Sequence, residues 1–317
     1  MSQHIQSLID TFSNPSRKTP IKDEAVLSLQ KLGPPAVSLL AKALKTTIHQ
    51  ADTDEEQDKK NREETRQMYA ARTLGRMGKE AAEAVPQLAD LFATSSRAFI
   101  KIEVAIALSK IGIVEDQTIN MDIVYLMLNT LNASKDNWHE DLREAAAKTL
   151  GEFGPLAKNA VPYLIMCLMD RNDKVRQAAS TSLQKIGRVA LPTLLETLKN
   201  REKIRTGVLL PDARVFDSWI RSFNPEHFDD LYSFERARVA SNSYWFEREL
   251  IENYVLVEKI FEESLLLLVR LVENEAELRI ILLELAQADA NQKLQAIAKE
   301  ALARPSSQVS RPRIEAV

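Results

Sequence analysis

Gln177-Ala-Ala-Ser-Thr-Ser-Leu-Gln-Lys-Ile-Gly187 reads as the end of a helix and its stop signal. Ala178 and Ala179 are small enough to let a neighbouring helix approach closely. Leu183 and Ile186 are three residues apart and share one helix face, which suits a core. Gly187 tolerates the left-handed backbone wanted just past a helix end. The same pattern recurs in Glu24-Ala-Val-Leu-Ser-Leu-Gln-Lys-Leu-Gly33 and Tyr69-Ala-Ala-Arg-Thr-Leu-Gly-Arg-Met-Gly78. It returns in Glu103-Val-Ala-Ile-Ala-Leu-Ser-Lys-Ile-Gly112 and Glu144-Ala-Ala-Ala-Lys-Thr-Leu-Gly-Glu-Phe-Gly154. Successive glycines are 45, 34, 42 and 33 residues apart, so one supersecondary unit is repeated five times.

A second helix is expected after each glycine. Its signature is Ala160-Val-Pro-Tyr-Leu-Ile-Met-Cys-Leu168, echoed by Ala84-Val-Pro-Gln-Leu-Ala-Asp-Leu-Phe92 and Ala190-Leu-Pro-Thr-Leu-Leu-Glu-Thr-Leu198. Proline in a first turn loses no helical hydrogen bond, so it marks where the second helix begins. Composition agrees. The 317 residues are 45% apolar and hold 8 glycines, which favours helix and a real core over sheet or disorder.

The stretch from Glu140 through Asp170, continued in Asp173-Lys-Val-Arg-Gln-Ala-Ala, resembles the HEAT-like repeats related to the phycobilin lyases. The resemblance runs roughly over residues 20 to 200. It implies an all-α, right-handed α-solenoid of helical hairpins. Tetratricopeptide repeats fit less well, because their period is a uniform ~34 residues and an Ala-Val-Pro start does not suit them. The lyases bind a phycobiliprotein and its chromophore. The resemblance therefore adds an alternative function, a lyase-like or chaperone-like subunit acting on a protein-bound cofactor such as a bilin.

The expected organisation is five repeats in 1–200, an aromatic-rich irregular insertion in 201–245, C-terminal capping helices in 246–304 and a disordered tail in 305–317. Residues 201–261 hold 11 of the chain's 19 aromatics, among them Trp219, Tyr244 and Trp245. They either pack an insertion onto the repeats or form a ligand-binding cluster. The charged run Asp52 to Glu64 places Glu55 and Glu56 four residues ahead of Lys59 and Lys60. That order suits a solvated helical extension; an acidic docking strip is the other reading.

Catalytic signatures are few. No glycine-rich phosphate loop or nucleophile elbow occurs. A formal charge of -3 provides no global attraction for nucleic acid. Cys167, the one cysteine, cannot form an intrachain disulfide, and no stretch is apolar and long enough for a signal peptide or a membrane span. We expect a cytoplasmic protein. The HEAT-like deoxyhypusine hydroxylases hold iron with several His-Glu pairs. Here a single pair, His139-Glu140, stands ahead of its helix core, so no metal and no cofactor is expected. Lys22, Lys101, Arg143 and Arg176 all lie 11 residues before a glycine. They read as a ladder bonding the adjoining repeat, or as a phosphate-binding stripe.

Second helices usually line the concave face of such a solenoid. Aligning them produces columns: Leu39, Gln87, Leu126, Tyr163, Thr193; then Lys42, Asp90, Asn129, Met166, Glu196; then Lys45, Ala93, Asn132, Met169, Lys199. The third and fourth repeats turn apolar at these positions. Leu126, Asn129, Tyr163, Met166, Met169 and Thr193 are thus the candidate contacts for a partner, another protein or a peptide segment. The alternative is that the aromatic insertion covers them. The leading function is a non-catalytic scaffold or adaptor.

Overall fold

The computed structural model describes residues 1–45, 52–133, 140–168, 170, 172–199, 264–272, 277–278 and 280–282. The aromatic-rich insertion, His139, most of the expected capping helices in 246–304 and the tail at 305–317 lie outside these residues. The chain forms two compact units, Met1–Ala160 and Val161–Val317. Among the described residues there is helix and no strand, as the composition requires.

In the first unit, first helices α2 (Thr19–Leu32), α4 (Asp54–Met77), α6 (Ala98–Ile111) and α8 (Glu140–Glu152) pack side by side in one layer. Second helices α3 (Val37–Ala43), α5 (Val85–Thr94) and α7 (Gln117–Ala133) back them. An additional helix, α1 (Ser2–Ser13), precedes the first repeat and buries Ile5, Ile9 and Phe12 against α2 and α4. The second unit holds α9 (Val161–Cys167), α10 (Asp173–Ile186) and α11 (Leu191–Lys199), together with helical residues 264–271.

All five glycines read as stop signals have positive φ, from 52° at Gly154 to 78° at Gly112. A residue with a Cβ would be strained there, which is why the pattern ends in glycine each time. The leucine four residues before each glycine (Leu29, Leu74, Leu108, Leu150, Leu183) is fully buried. These five side chains form the spine of the core in their respective units.

After Gly78, Gly154 and Gly187 the chain makes a 3-10 turn before the second helix starts at Val85, Val161 and Leu191. Pro86, Pro162 and Pro192 are therefore each the second residue of their helix, where no amide is missed. The third repeat has no such proline. There Asp116 accepts from the amides of Thr118 and Ile119 at 2.9 and 3.3 Å and starts α7. Buried Asn120 pins the preceding loop, donating to Val114 O at 2.8 Å and accepting from Val114 N at 3.0 Å.

The charged run at 52–64 belongs to the helical extension. α4 has 24 residues where α2 and α6 have 14. Thr53 and Glu56 form a reciprocal capping box at its start, and Lys59 pairs with Glu55 at 2.9 Å. At the other end α4 meets α6 closely. A Cβ on Gly75 would stand 2.8 Å from Ala107 Cα, so only glycine allows this helix crossing.

Candidate partner-binding surface

Side chains on second helices divide sharply by exposure. In the first unit Leu88 of α5, and Met127 and Leu128 of α7, are fully buried. Leu39, Gln87, Leu126 and Asn129 are half-buried, and Lys42, Asp90, Lys45 and Ala93 are exposed. Leu126 and Asn129 are one turn apart on α7 and share a face. In the second unit Leu164 and Leu168 are buried, whereas Tyr163, Met166 and Thr193 are half-buried and Glu196 is exposed. Tyr163 and Met166 likewise share a face of α9. The side chains of Asn132, Met169 and Lys199 lie outside the described residues. Burial raises the Tyr163 hydroxyl above the ordinary phenol range, so it stays protonated at neutral pH and acts as a hydrogen-bonding aromatic.

The position 11 residues before each glycine is turned inward. Arg176 Nη1 donates to Asp170 O at 2.6 Å, tying α10 to the end of the preceding repeat. Gln67 occupies the same position in the second repeat and donates to Leu44 O at 3.2 Å. It does not stand out among the cations of the other repeats, because an amide performs the same carbonyl-bonding task without charge. Lys22 and Lys101 place their ammonium groups 5.7 and 5.3 Å from the ring centroids of Tyr69 and Phe92. Burial lowers the Lys22 pKa. Arg143 is buried. These residues form a ladder between repeats and do not present an open phosphate stripe.

A second tie between repeats is uncharged. Five residues before the glycines stand Ser28, Thr73, Ala107, Thr149 and Ser182. Thr149 Oγ1 contacts Ala105 O of the adjoining repeat at 3.0 Å and Ala145 O of its own helix at 2.8 Å. Every repeat has a small or hydroxyl residue at this offset, but Thr73 bonds Tyr69 O of its own helix at 2.7 Å. Arg72 adds a third tie between repeats, with Glu103 at 2.5 Å and Asp23 at 3.6 Å.

Among the described residues no group of three or more His, Cys, Asp or Glu side chains could hold a metal ion, and no helix is long and apolar enough to cross a membrane. The profile of HEAT repeats matches residues 129–209, spanning the end of α7 through α11. Residues 129–209 are HEAT-like repeats. The chain's helical hairpins, glycine stops and proline-marked second helices continue that description through the earlier repeats.

Solved structures similar to this HEAT-like protein include an engineered protein, 19% identical with a TM-score of 0.41, covering 77% of this chain and 97% of that one. Another is the complex of CpcE and CpcF of phycocyanin lyase from Nostoc sp. PCC7120. It is 17% identical with a TM-score of 0.40, covering 84% of this chain and 94% of that one. No curated protein matches the chain.

Proposed function

We propose that this HEAT-like protein is a non-catalytic scaffold that binds another protein, or a peptide segment of one, through its second helices. The observation that carries the reading is the half-buried state of Leu126 and Asn129 on α7 and of Tyr163 and Met166 on α9. Their neighbours Leu128 and Leu164 are completely buried. An amphipathic second helix should bury its apolar residues inward and show charge outward, as α3 does with Lys42. On α7 and α9 Leu126, Asn129, Tyr163 and Met166 stand at outward positions instead, with exposed Asp122 one turn before Leu126. Such positions bury area and supply neutral hydrogen bonds when a partner docks. Aromatic Tyr163 suits the centre of a contact, since it loses little rotamer freedom on binding.

The test is a comparative capture. Wild-type protein, Tyr163→Ala and Leu126→Ala are used in parallel to retrieve partners from native lysate, and the retained proteins are identified and quantified. A partner held by wild type and depleted with either variant supports the reading. The same partners retained equally by all three proteins would overturn it. A co-purified absorbing ligand, lost from neither variant, would replace it with the lyase-like alternative.

A further inference from the structure

α1 is attached to its unit differently from the first helices beside it. Those helices are joined across repeats by polar bonds. Gln30 of α2 donates to Arg76 O at 3.1 Å, Arg72 of α4 pairs with Glu103 of α6, and Thr149 of α8 reaches Ala105 O of α6 at 3.0 Å. In α1 the side-chain hydrogen bonds close inside the helix. Gln6 donates to Asp10 at 2.8 Å, Thr11 to Leu8 O at 2.6 Å and Ser13 to Asp10 O at 3.3 Å. Among the described residues no ion pair or side-chain hydrogen bond joins α1 to another element.

What holds α1 is apolar. Ile5, Ile9 and Phe12 are its buried residues, and Phe12 stacks on Tyr69. They stand at i, i+4 and i+7, the anchor spacing of an amphipathic helix lying in a groove. α2, α3 and α4 make that groove. The connection from α1 to α2, residues 14–18, is exposed throughout. Its bonds are local, from Arg17 N to Asn14 O and from Ser16 N to Asn14 Oδ1.

We propose that the groove of α2, α3 and α4 is a docking site for an amphipathic helix of a partner protein, kept filled in the free chain by α1. The partner's helix carries large apolar side chains at the same i, i+4 and i+7 spacing, the last of them aromatic so that it lies on Tyr69. Opening α1 breaks no polar bond to the rest of the unit. The five linker residues, up to roughly 17 Å when extended, let it swing aside while α2 stays folded. The tether makes α1 a competitor at an effective concentration on the order of 1 mM. A partner's affinity is reduced by the fraction of chains that are closed, so the site is masked from weak binders.

The probe is a fluorescein-labelled peptide of residues 1–18, titrated into the full chain and read by anisotropy. Wild type should bind it weakly. Ile9→Asn in the chain loosens α1's own seating and should tighten peptide binding at least about tenfold. A Phe12→Ala peptide should bind that variant at least about tenfold more weakly than the native peptide. Hydrogen exchange on the ¹⁵N-labelled wild-type chain needs no variant and decides if Ile9→Asn fails to fold. Unlabelled peptide at about 2 mM should speed exchange in residues 2–13 of the chain and leave α2 and α4 protected. Equal peptide affinity for wild type and folded Ile9→Asn, native and Phe12→Ala peptides that bind alike, or α1 exchange that the peptide leaves unchanged would each overturn the proposal.

Discussion

Phe12 lies flat on Tyr69, with ring centroids 5.3 Å apart and the planes 20° apart. The stack joins α1 to α4 and covers an aromatic ring that the second repeat would otherwise leave open. Arg72 sits 5.1 Å from the same ring, so Tyr69 is enclosed by aromatic and cationic neighbours together. α1 therefore works as an N-terminal cap, the element a repeat array needs where stacking stops. Phe12 is fully buried. Phe12→Ala should cost about 3–5 kcal/mol in urea unfolding, with α1 losing hydrogen-exchange protection before the rest of its unit. A loss below about 1 kcal/mol would show that α1 is not part of the cooperative core.

Gly75→Ala tests the crossing of α4 and α6. In an exposed helix the change would stabilise by about 1 kcal/mol. Here the new methyl would press on the backbone of Ala107, which cannot rotate away. The expected sign is the opposite, a loss of roughly 1–3 kcal/mol. Adding Ala107→Gly should recover part of it. A higher melting temperature for Gly75→Ala alone would mean that the two helices separate without difficulty.

Leu183 and Leu164 test the spine of the second unit. Both are fully buried. Truncating either to alanine should cost about 2–5 kcal/mol, more than any single exposed charge on α10. Equilibrium denaturation measures this directly, and a cost near zero would remove them from the core.

The start of α4 should respond to acid. Amides of Asp52 and Thr53 and the Thr53 hydroxyl bond the Glu56 carboxylate and hold its pKa below the ordinary value of 4.5. A depressed folded pKa means that the cap's contribution is complete above about 4.5 and is lost as pH falls through the lower folded value. Amide exchange at Glu56 and Gln57 should therefore quicken below that pH, beyond the intrinsic trend. Glu56→Gln should abolish the pH dependence while weakening the cap at every pH. Exchange in the wild type that follows the intrinsic trend alone would rule the cap out as a proton-sensitive element.

For Tyr163, binding and stability should separate. Once a partner is in hand, Tyr163→Ala should weaken the complex by roughly 1–3 kcal/mol with helix content intact, whereas Glu196→Ala or Lys42→Ala should mainly change its salt dependence. Lost stability with unchanged affinity would instead make Tyr163 part of the packing.

Sequence alone determined the repeat and its punctuation. Glycines 33, 78, 112, 154 and 187 were legible as stops because positive φ is a local backbone requirement. The leucines four residues earlier were legible as core because a helix face is defined by neighbours three and four residues away. Pro86, Pro162 and Pro192 marked second helices for an equally local reason. The candidate surface was legible only as positions. Leu126 and Tyr163 are half-buried, and under the proposed function what occupies them would be set by a partner. Tertiary structure decided everything that depends on residues brought together across repeats. Gln67 finds Leu44 O across 23 positions, Thr149 finds Ala105 O across 44, and Phe12 meets Tyr69 through a helix outside the repeat. No periodicity within a helix encodes such pairings. They are set by how closely neighbouring helices approach, and at Gly75 and Ala107 that distance rests on the absence of a single methyl group.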